Sequence, residues 1–207
     1  IFRAVFDSEG FNVQPKIRTY EGSIFLLKNN KVDVMVGAYK DEIDDVVYPK
    51  NHFAVDIVQA IYKKDTKHQW SGVDTINNKI LGWIKGYSYH DYLPATAINK
   101  SPIKRLKTRS LAYRMLNKGQ IDYFIDAKAD ITDFFNASPI YKAADYETKT
   151  VLELNLYIVF TEDDKGKKLA EIFDRRFALL LHQGEIKKLY DKYKAKAFTY
   201  PSSFGSQ

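Results

Sequence analysis

The residues of this chain that could do chemistry are spread along it rather than gathered. Its histidines, His52, His68, His90 and His182, lack the short spacings that bring imidazoles onto one metal ion. None stands in a nucleophile-elbow sequence, and each reads as a surface residue. Paired carboxylates occur at Asp44-Asp45 and Asp163-Asp164, but both pairs lie in hydrophilic runs. A catalytic pair needs an apolar pocket to keep one acid protonated. There is no glycine-rich phosphate loop, and with no cysteine there is no disulfide, thiolate metal site or cysteine nucleophile. The pattern predicts a binding protein rather than an enzyme, with no metal and no cofactor.

The elements that must position any site follow from composition and pattern. The 207 residues, 45% hydrophobic and 28% charged, suffice for one large domain or two small lobes. The formal charge of +6 is dispersed, since Lys and Arg alternate with Asp and Glu at residues 162–168 and 185–192 as on solvated helix faces. That alternation predicts no nucleic-acid partner. No apolar run approaches the roughly 20 residues that span a bilayer. The chain opens on Ile1, and Ile1, Phe2, Val5 and Phe6 already have helix-face spacing. More residues are therefore expected before this point, a signal peptide among them.

Apolar runs at residues 32–36, 80–84 and 121–125, each bounded by Asn, Lys or Gly, predict buried strands of a mostly parallel sheet. Helical patterns separate them: one at 23–29, another after Ser110 as N-cap and ending before Gly119. Alternating strands and helices mean an α/β fold. Residues 27–37 and 116–126 share one pattern, a helix-ending Leu (Leu27, Leu116), a polar turn, a β-branched residue (Val32, Ile121), an Asp (Asp33, Asp122) and three strand residues. Two copies of one helix-turn-strand unit point to two similar lobes, unless a common αβ turn has merely recurred. Asp33 and Asp122 read as turn-capping residues. The chain is expected to leave the first lobe near residue 62 and return near 157, giving lobe 1 as 1–62 plus 157–207 and lobe 2 as 63–156. Residues 169–193 read as helical with a break at Gly184, and 200–207 as an irregular tail.

In this order the segments 27–39, 70–88, 116–126 and 157–193 resemble the type II periplasmic binding proteins, in particular the amino-acid-type solute-binding components of ABC importers. The resemblance implies two α/β lobes joined by two crossing strands, with the family's first strand lying before Ile1. It implies a small polar solute, an amino acid or related compound, held in an interlobe cleft, an ABC permease as partner, a monomer, and a periplasmic or membrane-anchored extracellular location. Gly37, Ala38 and Tyr39 match the end of the first-lobe strand, and Tyr20 matches a pocket-lining aromatic. Gly86 and Ser88, with Tyr89 following, match the second-lobe turn, where N–H groups at a helix start can hold an anionic group. Tyr20 and Tyr39 read equally well as packed aromatics.

Two departures bear on the ligand. The family's Arg that grips an α-carboxylate with its planar fork has no counterpart at residues 40–45, where Lys40 is the available cation. The family's second-lobe carboxylate falls at Ala127; Asp126, one residue early and so expected on the other strand face, is the candidate in its place. Standard amino acids are therefore not expected to bind in the family's usual way. A second role is compatible with the same fold, a ligand-sensing domain of a membrane receptor, and a non-transporting binding protein is a third.

Overall fold

The computed structural model describes residues 1–66, 69–193 and 198–199; His68 and the expected tail at 200–207 lie outside them. The first stretch holds helices α1 (Phe2–Phe6) and α2 (Tyr20–Lys28) and strands β1 (Val34–Ala38) and β2 (Val46–Val47). Strand β3 (Ala54–Lys63) leads to β4 (Leu81–Ile84), α3 (Ala95–Ile98), β5 (Ile103–Leu106), α4 (Arg109–Asn117), β6 (Tyr123–Ala127) and α5 (Lys128–Ala137). Strand β7 (Tyr146–Thr161) leads back to α6 (Asp164–His182), α7 (Glu185–Lys192) and β8 (Phe198–Thr199). The chain forms two compact units, one from Ile1–Val55 with the described residues from Leu154 onward, the other from Asp56–Glu153. Crossings expected near residues 62 and 157 fall inside β3 and β7.

The repeated sequence pattern is a repeated structure. At the end of α2, Asn30 N–H bonds Leu27 O and Lys31 N–H bonds Leu26 O; after α4, Gly119 N–H bonds Leu116 O and Gln120 N–H bonds Met115 O. Each is a left-handed helix stop, with φ of 53° at Asn30 and 63° at Gly119, that turns the chain into β1 or β6. The aspartates behind these turns also reach partners outside them. Asp122 Oδ2 accepts from Ile80 N–H at 2.7 Å, and Asp33 pairs with Lys165 at 2.6 Å.

Helix starts depart from the expected residues by a few positions. Helix α2 begins at Tyr20, ahead of the pattern expected at 23–29, where Thr19 caps it by accepting from Gly22 N–H, and Thr108, not Ser110, caps α4 by accepting from Leu111 N–H. Both threonines have extended backbone, as an N-cap requires. The strands are also less parallel than expected. In the second unit β4 runs parallel to β5 and β6, but β3 is antiparallel to β6, and in the first unit β1 and β2 are antiparallel to β7.

The first unit's core gathers Val5 and Phe6 of α1 around Phe160, Phe173 and Phe177. The second unit's core gathers Tyr113, Leu116, Ile121, Phe124 and Ile131. Fully burying a side chain of this size stabilises by about 1.5–3 kcal/mol. Helix α6 meets the end of β7 closely. Asp163 Oδ1 accepts from Gly166 N–H at 2.7 Å and from the Thr161 hydroxyl at 3.0 Å, and a Cβ on Gly166 would stand 1.9 Å from Thr161 O.

Gly166→Ala is thus expected to destabilise by about 3 kcal/mol or more, because backbone must move. Gly119→Ala, with open space but a left-handed φ, is expected to cost roughly 1–2 kcal/mol. Urea unfolding of both variants checks the order; equal losses would contradict it.

Candidate functional site

In the second unit the parallel strands β4, β5 and β6 end together, and the segments leaving them carry a connected polar constellation. Tyr87 comes from the turn after β4, Arg109 is the first residue of α4, Asp126 lies on β6 and Asp130 in the first turn of α5. Asp126 is 0% exposed, and Arg109 grips it with a fork, Nε to Oδ2 at 2.7 Å and Nη2 to Oδ1 at 3.2 Å. The same Nη2 reaches Asp130 Oδ2 at 2.5 Å and donates to the Tyr87 hydroxyl at 3.3 Å; that hydroxyl donates to Asp130 at 3.4 Å. Ala127 N–H completes the set by donating to Asp126 Oδ1 at 3.0 Å.

Burial pushes the Asp126 carboxyl up to about 7 even though the hydrogen bond and charge of Arg109 pull it down. Burial likewise raises Asp130 above the usual carboxylate range. Burial and the nearby Asp130 charge push Tyr87 up to about 12. For Arg109, burial opposes the charged form, but the bond to Asp126 and the charges of Asp126 and Asp130 outweigh it and hold the guanidinium more firmly charged than usual. The group is one connected set around a half-buried guanidinium.

The turn beside it is pinned from below. Gly86 has φ of 96°, and the next carbonyl, Tyr87 O, accepts from the Trp83 indole at 3.1 Å and from Arg105 Nη1 at 3.0 Å. Arg105 lies over the Trp83 ring at 4.5 Å, and the His90 ring stacks on Trp83 at 6.2 Å. Ser88 precedes only a three-residue 3-10 turn, Tyr89–Asp91, and α3 begins at Ala95. The helix start expected at Gly86 and Ser88 is therefore absent, because so short a turn aligns too few peptide dipoles to attract an anion. Tyr89 is 1% exposed and packs edge-on against Trp83 and Tyr87, so it supports the turn from within.

In the first unit, β1 ends in a bulge at Gly37, whose φ is 97°. Ala38 is fully buried, so only its backbone is available to a partner. Glu42 Oε2 joins two of the expected residues, accepting from the Tyr20 hydroxyl at 2.5 Å and from Tyr39 N–H at 3.0 Å. Lys40 sits over the rings of Tyr48 and Tyr157, 4.8 and 5.6 Å from their centres, with Asp41 3.7 Å away. Such cation–ring contacts stabilise by about 0.5–1 kcal/mol at exposed positions. His52, half-buried, stands edge-on to Tyr157, so it is packed rather than a free surface residue.

The structure thus brings Tyr20, Tyr39 and Lys40 together around the end of β1, and sets Asp126 beside the turn of Gly86, Ser88 and Tyr89. Sequence reasoning passed over Arg109, Asp130, Tyr87 and Glu42. A basic residue one position after a capping threonine, where a helix start prefers acids, was the available signal for Arg109. Among the described residues no group of three or more His, Asp and Glu side chains could hold a metal ion, and no helix is long and apolar enough to cross a membrane.

No family model matches the sequence, and no curated protein matches it. Solved structures do. A histidine kinase sensor domain with similarity to periplasmic binding proteins superposes with a TM-score of 0.77 at 16% identity, over 97% of this chain and 85% of that one. A substrate-binding protein of an ABC uptake transporter from Streptococcus pneumoniae, with bound histidine, gives 0.68 at 17% identity over 92% and 79%. An ancestral amino-acid-binding protein, a precursor of cyclohexadienyl dehydratase, gives 0.69 at 15% identity over 92% and 81%. The fold is that of the type II periplasmic binding proteins.

Removing the buried member of the second-unit cluster should cost more than removing the exposed one. Asp126→Ala is expected to destabilise by about 3–5 kcal/mol, as when one partner of a buried pair is lost. Asp130, 38% exposed in its side chain, is expected to cost about 1 kcal/mol or less as Asp130→Ala. Comparison of the two unfolding midpoints in urea checks this, and a larger loss for Asp130→Ala contradicts it.

Proposed function

We propose that this chain is a solute-binding domain of the type II periplasmic family that captures a small polar ligand and catalyses no reaction. The observation that supports the reading is the match, over 92% and 97% of this chain, to a binding and a sensing domain, joined to a polar constellation at the carboxyl ends of strands, where open α/β sheets hold their ligands. The ligand contacts are assigned to Tyr20, Tyr39, Lys40 and the backbone of Gly37 and Ala38 in the first unit. In the second they are assigned to the turn of Gly86 and Ser88, with Tyr89 packed beneath it and Asp126 acting through Arg109. Delivery of the solute to an ABC permease outside the cytoplasm, by a monomer, is the role that fits such a domain.

A second reading has its own support. The match to a histidine kinase sensor domain has the higher TM-score of those above, 0.77, which favours ligand sensing for a membrane receptor. Both readings need the same capture step, and both use a ligand's preference for one of two conformations.

A thermal-shift screen of amino acids, polyamines, small sugars, peptides and organic acids tests the capture step. A true ligand at a hundred times its Kd should stabilise by about 2.7 kcal/mol. Tyr39→Ala is expected to weaken that ligand by about 1–3 kcal/mol in calorimetry while the chain stays folded. A screen in which no small polar compound raises the midpoint, or a Tyr39→Ala variant that unfolds without losing affinity, contradicts the assignment.

A further inference from the structure

Arg109 stands where helix physics does not favour it. It is the first residue of α4, no acidic residue accompanies it in that first turn, and the positive end of the helix dipole lies beside its backbone. Its compensation is entirely tertiary. Asp126, Asp130 and the Tyr87 hydroxyl come from β6, α5 and the turn after β4, and all converge on the Nε and Nη2 edge of one guanidinium. An Arg fork on a carboxylate at these distances is the strong, geometry-specific form of a charge-assisted bond. Three acceptors on three separate elements, one of them 0% exposed, form the lining that a planar cation requires. Here the cation is tethered to the chain.

We propose that Arg109 is the residue that sets the charge of the accepted ligand: its guanidinium fills, from within, a cation-binding site made by Asp126, Asp130 and Tyr87, and so closes this end of the second unit to cationic ligand groups. The side chain is 26% exposed, so the guanidinium plugs the lining from its open side. A ligand ammonium or guanidinium would have to displace a bidentate partner that enjoys intramolecular concentration, a contest that a free cation loses. With Arg109 in place the ligand is a neutral or anionic polar solute. With Arg109 removed, two carboxylates and a hydroxyl are left facing one another without a cation, and the site takes a free guanidinium. The inference rests on the reading of these strand ends as part of a solute site. The probe below is not the natural ligand, so its failure and the failure of that reading are separable.

The experiment compares the unaltered chain, Arg109→Ala, and Arg109→Ala combined with Asp126→Asn, each melted in millimolar methylguanidinium chloride or in equal sodium chloride. Millimolar concentrations are far below those at which guanidinium salts unfold proteins. Arg109→Ala is expected to melt on the order of 10 °C lower, as for a broken buried pair in a domain of this size. Methylguanidinium should return several of those degrees, leave the unaltered chain unmoved, and do nothing for the double variant, which lacks the Asp126 carboxyl group that pairs with the added cation. A merely structural Arg109 gives no such recovery. The proposal is overturned if Arg109→Ala gains nothing over sodium chloride, if the double variant gains as much, or if the unaltered chain gains equally. Should Arg109→Ala melt without a cooperative transition, its refolding yield with and without methylguanidinium reads the same quantity, and equal yields overturn it.

Discussion

A carboxylate with no surface in water is costly unless a cation and hydrogen bonds come with it, and Asp126 lies at the carboxyl end of β6 in that state. The arrangement of that end of the second unit follows from meeting this demand. Arg109 must lie where α4 begins, so β5 and α4 are fixed relative to β6, and Asp130 and Tyr87 are drawn in because one carboxylate does not use all the guanidinium's donors. The turn after β4 is then held from two sides, by Tyr87's hydroxyl above and by Trp83 and Arg105 on its carbonyl below. Where the strands of an α/β unit end, backbone geometry leaves side chains free to meet. This chain has used that freedom to build a charge-paired floor.

The first unit solves a similar problem with weaker means. Its acceptor is Glu42, engaged by the Tyr20 hydroxyl and Tyr39 N–H, and its cation is Lys40 over two tyrosine rings. None of these groups is fully buried, so each can exchange a partner at modest cost. The two units therefore differ in burial: the polar side chains around the end of β1 are partly exposed, whereas Asp126 is 0% exposed.

The fold was legible because its signals are local. The stops after α2 and α4 are written in adjacent residues, ending at Asn30 and at Gly119, and the strand that follows each is a short apolar run. Helix starts were less legible, since Thr19 and Ser23, or Thr108 and Ser110, are equally good caps until tertiary contacts choose between them. The site was half legible. Tyr20, Tyr39, Lys40 and Asp126 were marked by strand ends and family resemblance, but the partner that defines Asp126 is 17 residues away on another element. No local spacing rule links the two across a helix, a turn and a strand, and Asp126 alone cannot show whether it faces a ligand or an arginine. The turn of Gly86 and Ser88 was placed correctly but given a helix it lacks, because the tyrosine after Ser88 goes inward to pack on Trp83.

Arg109 and Asp126 act as a coupled pair and not as two independent residues. A double-mutant cycle of Arg109→Ala and Asp126→Ala, read by urea unfolding, measures that coupling directly. An interaction energy of about 2 kcal/mol or more is expected, with the double variant little worse than either single one. Losses that simply add, with coupling below roughly 0.5 kcal/mol, would contradict it.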